Sequence, residues 1–254
     1  MILDPRQIPQ KNKAFLTGLF LAKFSRAGFR RLGFTSFVEA YNAFGFALGL
    51  RPTSIKGYRD EFDPLLPNQR IGWNNRQPHP YRRSIYEEYK DLDLETFAGL
   101  VSSFVGYDEN AWSEVQPEKK KQDGGSLFAK RLITGLAAES YFEATMPRLD
   151  EFKGCALLNT TRLGCGYDFR LDPQPSGDFL AVEVKGLAEE SGSISLTPKE
   201  HDTAEALADR FFLFVVKSFR KKPRHEIHRN PLAGTLKFRR KETRTVQISW
   251  HSSV

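Results

Sequence analysis

Two short segments in the C-terminal half decide the fold: Gly166-Tyr-Asp-Phe-Arg-Leu171 and Phe179-Leu-Ala-Val-Glu-Val-Lys-Gly186. Both predict short β-strands bounded by turn residues. Residues i and i+2 of a strand share a face, so Glu183 and Lys185 should project together. If the two strands pair as a hairpin, Asp168 comes beside Glu183. Two carboxylates and an ammonium then meet at the end of a sheet.

This combination of charges suits chemistry on phosphates. Two carboxylates can hold Mg²⁺, a hard cation that prefers oxygen ligands and keeps several of its waters. Such a metal lowers the pKa of a bound water and stabilises charge that develops on a phosphate. Lys185 can orient the attacking water or offset negative charge near the scissile phosphorus. Gly186, directly after it, leaves room for a close backbone approach.

The segments around this motif predict a mixed α/β order. A long helix precedes the motif, and a second helix, which Thr197-Pro198 can open, follows it. The predicted order is helix, three strands, helix and strand: Ser126–Thr145, Ala156–Asn159, Tyr167–Leu171, Phe179–Val184, Lys199–Ala208 and Phe211–Val216. Two further strands are predicted at Gly234–Phe238 and Thr245–Trp250.

The motif and its surroundings resemble the PD-(D/E)xK nuclease superfamily, which has the restriction-endonuclease-like fold. The matching residues are Tyr167-Asp168 and Glu183-Val184-Lys185, with tyrosine where the family name has proline. Val182–Gly186, Ile194–Glu200 and the Phe211–Val216 strand are similar to the Mrr-like and NO VEIN-like branches. The resemblance covers about residues 126–220.

The resemblance implies a fold and an activity. The fold would be a mixed sheet flanked by helices, and the activity Mg²⁺-dependent hydrolysis of DNA, with Asp168 and Glu183 as metal ligands and Lys185 assisting the water. Glu139 resembles the helix carboxylate that many members add to the metal site. A restriction or phage-defence role, double-stranded DNA as substrate, 5′-phosphate products and a homodimer also follow from the resemblance.

Simpler interpretations of these residues stay open. Glu183 and Lys185 could form a solvated charge pair at a strand end, with Asp168 in a turn. A helix glutamate such as Glu139 is often only part of a solvated face. The alternative function is a non-catalytic DNA-binding or scaffold subunit of a larger defence or repair assembly, and metal-dependent cleavage distinguishes the two functions.

The N-terminal part predicts helices. Lys13–Ala27 has apolar residues at helical spacing, Thr35 or Ser36 can cap a helix to about Leu48, and Leu94–Phe104 is amphipathic. Thr53 or Ser54 can cap a further helix that ends near Asp63-Pro64. Pro64–Arg83, with four prolines, predicts an ordered loop.

Within these helices, Phe44-Gly-Phe-Ala-Leu-Gly-Leu-Arg-Pro-Thr-Ser-Ile-Lys-Gly-Tyr58 resembles a helix-turn-helix. Gly45 would let two helices approach, Gly49 would make the turn, and Ile55 would pack the second helix on the first. The N-terminal residues of that second helix face DNA bases in such motifs. The predicted DNA contacts are therefore Thr53, Ser54, Lys56 and Arg59. An ordinary helical hairpin with a glycine turn is the alternative.

Charge is unevenly distributed along the 254 residues. The formal charge is +7 and the pI about 9.4. Residues 1–86 hold 14 basic and 5 acidic residues, and residues 217–244 hold 11 and 2. Between them, residues 114–126 are polar and contain Gly124-Gly125, which predicts a linker. The predicted organisation is a helical, DNA-binding domain (1–112), a linker (113–125) and a nuclease domain (126–254).

The composition argues against several classes of protein. No run approaches the roughly 20 apolar residues of a membrane helix. The start of the chain lacks a signal-peptide pattern, and two cysteines cannot form a disulfide framework, so a cytoplasmic setting is expected. His225-x-x-His228 has no cysteine or second pair to support a metal site, which favours a basic, phosphate-facing loop over residues 221–229.

Overall fold

A computed structural model describes residues 5–67, 70, 77–105 and 124–242 of the chain. It has a helical N-terminal region and a C-terminal mixed sheet of five strands with flanking helices. The predicted fold, a helical N-terminal part followed by a mixed sheet flanked by helices (α+β), is therefore confirmed. Most of the predicted linker and the predicted strand at 245–250 lie outside the described residues.

Five helices form the described N-terminal region: α1 (Gln10–Arg31), α2 (Phe37–Ala47), α3 (Pro52–Phe62), α4 (Pro80–Tyr89) and α5 (Leu94–Ser103). Ser36 caps α2 as predicted, and its side chain accepts a hydrogen bond from the Glu39 amide. Two predictions were wrong in detail. Arg51 is the N-cap of α3 and makes no side-chain cap, because Pro52 takes the first helical turn. Likewise, Pro80 opens α4 inside the segment predicted as a loop.

Aromatic side chains fill the core between these helices. Phe15 meets Tyr58 edge to face at 4.6 Å between ring centroids, which packs α1 against α3. Phe20 and Phe97 meet in the same way at 5.5 Å and join α1 to α5. Such edge-to-face pairs stabilise the fold by more than the burial of their apolar area alone would.

The sheet unit begins with helix α6 (Gly124–Thr145) and contains helix α7 (Pro198–Leu207). Its strands, in spatial as well as sequence order, are β1 (Cys155–Asn159), β2 (Phe169–Pro173), β3 (Leu180–Gly186), β4 (Phe211–Lys217) and β5 (Arg224–Arg229). Only the β3–β4 pair is parallel, and α7 is the crossover between these two strands. The predicted order of helix, three strands, helix and strand is confirmed.

The last strand differs from the prediction. Residues 234–238 are irregular, and β5 lies instead over Arg224–Arg229, the segment expected to be a loop. Ile227 pairs with Phe214 and packs against the apolar core, while the charged residues beside it face outward. Charged residues of this kind are common on an edge strand, where they discourage pairing with another chain.

Helix α2 joins the helical region to the sheet unit. The carboxylate of Glu39, which is 1% exposed, lies 2.6 Å from Lys130 Nζ on α6 and accepts the Thr35 amide at 2.7 Å. One turn later, Asn42 Nδ2 donates to the carbonyls of Phe219 and Lys221, at 2.7 and 2.8 Å. Because a buried polar group is costly to leave unpaired, these contacts fix the two parts against each other.

None of the helices in the described part of the chain combines the length and the apolar character needed to cross a lipid bilayer.

Candidate functional site

The β2–β3 hairpin brings the two predicted carboxylates together. Phe169 pairs with Val182, so Asp168 lies directly before the ladder and opposite Glu183. The Asp168 amide donates to the Val182 carbonyl at 3.0 Å, and Asp168 Oδ2 accepts the Val184 amide at 2.8 Å. These bonds fix the carboxylate of Asp168 at the end of the hairpin, as the sequence predicts.

Glu183 and Lys185 share one face of β3. Lys185 Nζ donates to Glu183 Oε1 at 2.6 Å, while Val184 between them faces the apolar core. The same ammonium donates to Glu200 Oε2, on α7, at 2.8 Å. Glu183 is 3% exposed, so this is a buried ion-pair network and not the solvated pair that was the alternative interpretation.

Helix α6 supplies the other wall of the site. A cavity of about 550 Å³ is lined by Glu139, Asp168, Glu183, Lys185 and Glu200, together with Lys130 and Arg131. A Cβ atom at Gly186 would come within 2.8 Å of the Thr134 carbonyl on α6. The predicted close approach at this glycine is therefore confirmed, and it brings α6 against the end of β3.

Burial makes the carboxyl groups weak acids. It raises the pKa of Glu183 to about 9, with further repulsion from Asp168, and the pKa of Asp168 to about 6. Burial and the nearby charge of Asp168 raise the pKa of Glu139 to about 8. Burial lowers the pKa of Lys185, but Glu183 and Glu200 outweigh it and raise that pKa above its ordinary value. Burial and mutual repulsion therefore disfavour the ionised carboxylates, and a nearby cation would offset that cost.

This donor set fits a hard divalent cation. The acids are oxygen donors, they repel one another, and the Lys185 ammonium is shared between two of them. Among the described residues, no three acid, histidine or cysteine side chains converge closely enough to hold a metal ion by themselves. A cation here would take carboxylates from Asp168 and Glu183 and complete its shell with water, as Mg²⁺ commonly does.

Sequence reasoning missed the role of Glu200. It lies fifteen positions after Lys185 in the chain, and their contact depends on where α7 packs. Glu200 also completes a capping box with Thr197, because each side chain accepts from the other residue's backbone amide. The Thr-x-x-Glu spacing is the signal that could have placed Glu200 at the start of the helix.

The two helices and the glycine turn predicted over residues 44–58 are present as α2, α3 and the turn between them. Gly49 has φ of +68°, and a Cβ atom at Gly45 would lie 2.7 Å from Pro52 Cα. Ile55 is fully buried, as predicted. Gly45 therefore allows the close approach of the two helices, and Gly49 the turn.

The predicted DNA-contact residues are placed differently from one another. Thr53 and Lys56 are exposed, and Ser54 is half-buried. The Arg59 side chain is 13% exposed; its guanidinium donates to the Tyr41 hydroxyl at 2.8 Å and lies over the ring of Phe37. The exposed residues of this set therefore lie in the first turns of α3.

One protein-family model matches most of the sheet unit. Residues 139–228 match the family model described as Protein NO VEIN, C-terminal, a family linked to nuclease-like domains. The match begins at Glu139 and includes Asp168, Glu183, Lys185 and Glu200. A search of curated proteins found no match, and neither did a search of solved structures.

The raised pKa values predict how stability depends on pH in EDTA. Glu183 ionises near its ordinary pKa of 4.5 in the unfolded chain but near 9 in the folded protein. Between these values the folded state binds more protons, so rising pH favours unfolding. We expect the Glu183→Gln protein to gain stability relative to wild type as pH rises from 5 to 8, by at most about 1.4 kcal/mol per pH unit.

Chemical denaturation at several pH values measures this difference. Glu205→Gln is the matched control, because Glu205 is an exposed residue of α7. If the unfolding free energy of Glu183→Gln follows the wild-type pH dependence, the raised pKa of Glu183 is contradicted.

Proposed function

We propose that the protein is a Mg²⁺-dependent DNA endonuclease of the PD-(D/E)xK type. The observation that carries this proposal is the convergence of Asp168, Glu183 and Lys185 in one cavity at the end of β3, with Glu139 facing them from α6. The family match over the same residues supports it. Because both acids and the lysine of the motif line one cavity, we favour catalysis over a non-catalytic scaffold.

Each group has a distinct role in the proposed reaction. Asp168 and Glu183 would hold Mg²⁺, and Glu139 would support it. The metal would supply acidity to a bound water and stabilise the charge of the phosphate. Lys185 would orient the attacking water, with its ammonium fixed by Glu183 and Glu200. Arg131, which lines the same cavity, places positive charge near the polyanionic substrate.

The wider assignment rests on the family resemblance. It comprises double-stranded DNA as substrate, products with 5′-phosphates, a homodimer and a restriction or phage-defence role. An alternative is that the chain binds nucleic acid without cutting it.

Substitution of the three central residues tests catalysis. Asp168→Ala, Glu183→Ala and Lys185→Ala should each lower Mg²⁺-dependent cleavage by about 100-fold or more, because each removes a group that acts at the reacting phosphate. Initial rates are measured on supercoiled plasmid, single-stranded DNA and RNA, and circular dichroism confirms the fold of each variant.

Glu205→Gln should cleave at the wild-type rate. Full activity in Lys185→Ala would sink the catalytic role. Wild-type protein that binds DNA but cuts none of the substrates in Mg²⁺ would favour the non-catalytic alternative.

Glu200 gives a second test, as a positioning residue that acts through Lys185. Glu200→Gln removes the charge that fixes the ammonium, so kcat should fall about 10-fold with little change in KM. Thr197→Ala is the matched control, because it breaks the capping box without touching Lys185. This control should cost about 1 kcal/mol of stability but keep kcat near wild type.

If both variants lose kcat in proportion to their loss of stability, Glu200 has only a structural role in α7.

We also propose that the first turns of α3 contact DNA. Lys56 is 61% exposed, and its contact with Asp60 is a 3.5 Å pair on the surface. Lys56→Ala in the full chain should weaken duplex binding several-fold and reduce the salt dependence by about one counterion. Lys90→Ala serves as the control, because it removes a partly exposed lysine at the end of α4 that also pairs with an acid of its own helix. Equal effects of the two substitutions on anisotropy-measured affinity would reject a specific contact by α3.

A further inference from the structure

A second cavity lies beyond the end of β4. It measures about 410 Å³ and is lined by Glu190, Ser218, Lys221, Lys222, Pro223 and Arg224. Its basic residues come from the turn between β4 and β5 and from the first residue of β5. Neither the proposed catalytic groups nor the helix-turn-helix accounts for this basic turn.

Strand polarity places this turn beside the candidate active site. Strands β3 and β4 are parallel, with Lys185 opposite Val215 and Gly186 opposite Val216. Both chains therefore leave the sheet at the same end, and strands in a sheet are about 4.8 Å apart. The turn after β4 thus emerges next to the catalytic lysine of β3.

Hydrogen bonds continue this pairing past the sheet. The Arg220 amide donates to the Ala188 carbonyl at 3.0 Å, and the Ser218 amide to the Glu189 carbonyl at 2.9 Å. Ala188 lines the first cavity and Glu190 lines the second. One short loop, residues 187–190, therefore forms part of the rim of both cavities.

The charges around the second cavity favour an anion. Glu189 is paired with Arg220, and Glu190 with Arg224. Lys221 and Lys222 are exposed, and within the described residues neither forms an ion pair with an acid. The two glutamates are thus paired locally, while the ion pairs of the described residues leave both ammonium groups without an acidic partner.

The turn is also held in place before any ligand binds. Asn42 donates to the carbonyls of Phe219 and Lys221, which ties the turn to α2. The phenyl ring of Phe219 is fully buried against Phe46 of the same helix. A preorganised turn loses less entropy on binding than a mobile one.

We propose that the second cavity binds a backbone phosphate of the nucleic-acid strand whose scissile phosphate occupies the first cavity. The nature of this ligand rests on the proposed nuclease function. A nucleic-acid strand carries a charge at every nucleotide, so a backbone that crosses the 187–190 loop presents a further phosphate to Lys221 and Lys222. The contact reads no sequence and sets the position of the strand over the catalytic groups.

A charge-matched pair of double variants tests the proposal. Lys221→Ala/Lys222→Ala removes the two ammonium groups, and Arg148→Ala/Lys153→Ala removes two exposed charges before β1. Cys155 pairs with Pro173, so the start of β1 lies at the other end of the hairpin from Asp168. Affinity for a fluorescent duplex is measured in EDTA over a range of salt concentrations.

The Lys221→Ala/Lys222→Ala protein, called the turn variant, should bind the duplex about 10-fold more weakly at low salt. Its salt slope should be reduced by about one to two counterions. The control should stay within about 2-fold of wild type. Equal losses in both variants would overturn the proposal, as would wild-type affinity and slope in the turn variant, or no duplex binding by wild type at low salt. Stabilisation of wild type by inorganic phosphate, abolished in the turn variant without any change in duplex affinity, would assign the cavity to a free anion and overturn it too.

Cleavage distinguishes this proposal from the nuclease assignment. If the wild-type protein does not cleave, but only the turn variant binds the duplex more weakly, the result contradicts nuclease function and still supports the phosphate site. Metal-dependent cleavage together with unchanged duplex affinity in the turn variant contradicts the phosphate site alone.

Discussion

The candidate site is defined by the burial of several carboxyl groups at one end of a sheet. Taking a charge out of water is costly unless it is paired and hydrogen-bonded. Here Lys185 serves both Glu183 and Glu200, and the Val184 amide serves Asp168. The raised pKa values of Asp168 and Glu183 show that this compensation is incomplete. Their remaining repulsion is the reason for proposing a divalent cation at this site.

Secondary structure determines where each group of this cluster lies. The hairpin aligns Asp168 with Glu183, the parallel crossover brings Glu200 of α7 over Lys185, and α6 places Glu139 opposite. Helix α6 has a second role, because Ile133 belongs to the core of the N-terminal helices while Phe142 belongs to that of the sheet. The helical region and the sheet therefore share α6, and Glu39 and Asn42 of α2 strengthen that junction.

Local patterns predicted what depends on local geometry. Glu183 and Lys185 share a face because a strand repeats every two residues, and Gly49 makes the turn because it tolerates positive φ. The contact of Glu200 with Lys185 could not be predicted this way, since it depends on the packing of a helix against a sheet. Strand β5 was not predicted, because Ile227 is its one aliphatic residue and the charged residues around it give no apolar pattern. The partners of Arg59 were missed for a similar reason: Tyr41 and Phe37 are near it only once α2 and α3 have packed.

The proposed function requires that Asp168, Glu183 and Lys185 form a metal-dependent phosphodiesterase site. The most direct measurement incubates the full chain with end-labelled DNA in Mg²⁺ and in EDTA, and determines the chemical ends of any products. The proposed site should give fragments with 5′-phosphates and 3′-hydroxyls in Mg²⁺ and leave the DNA intact in EDTA. Undiminished cleavage in EDTA, or intact DNA under both conditions, would contradict it.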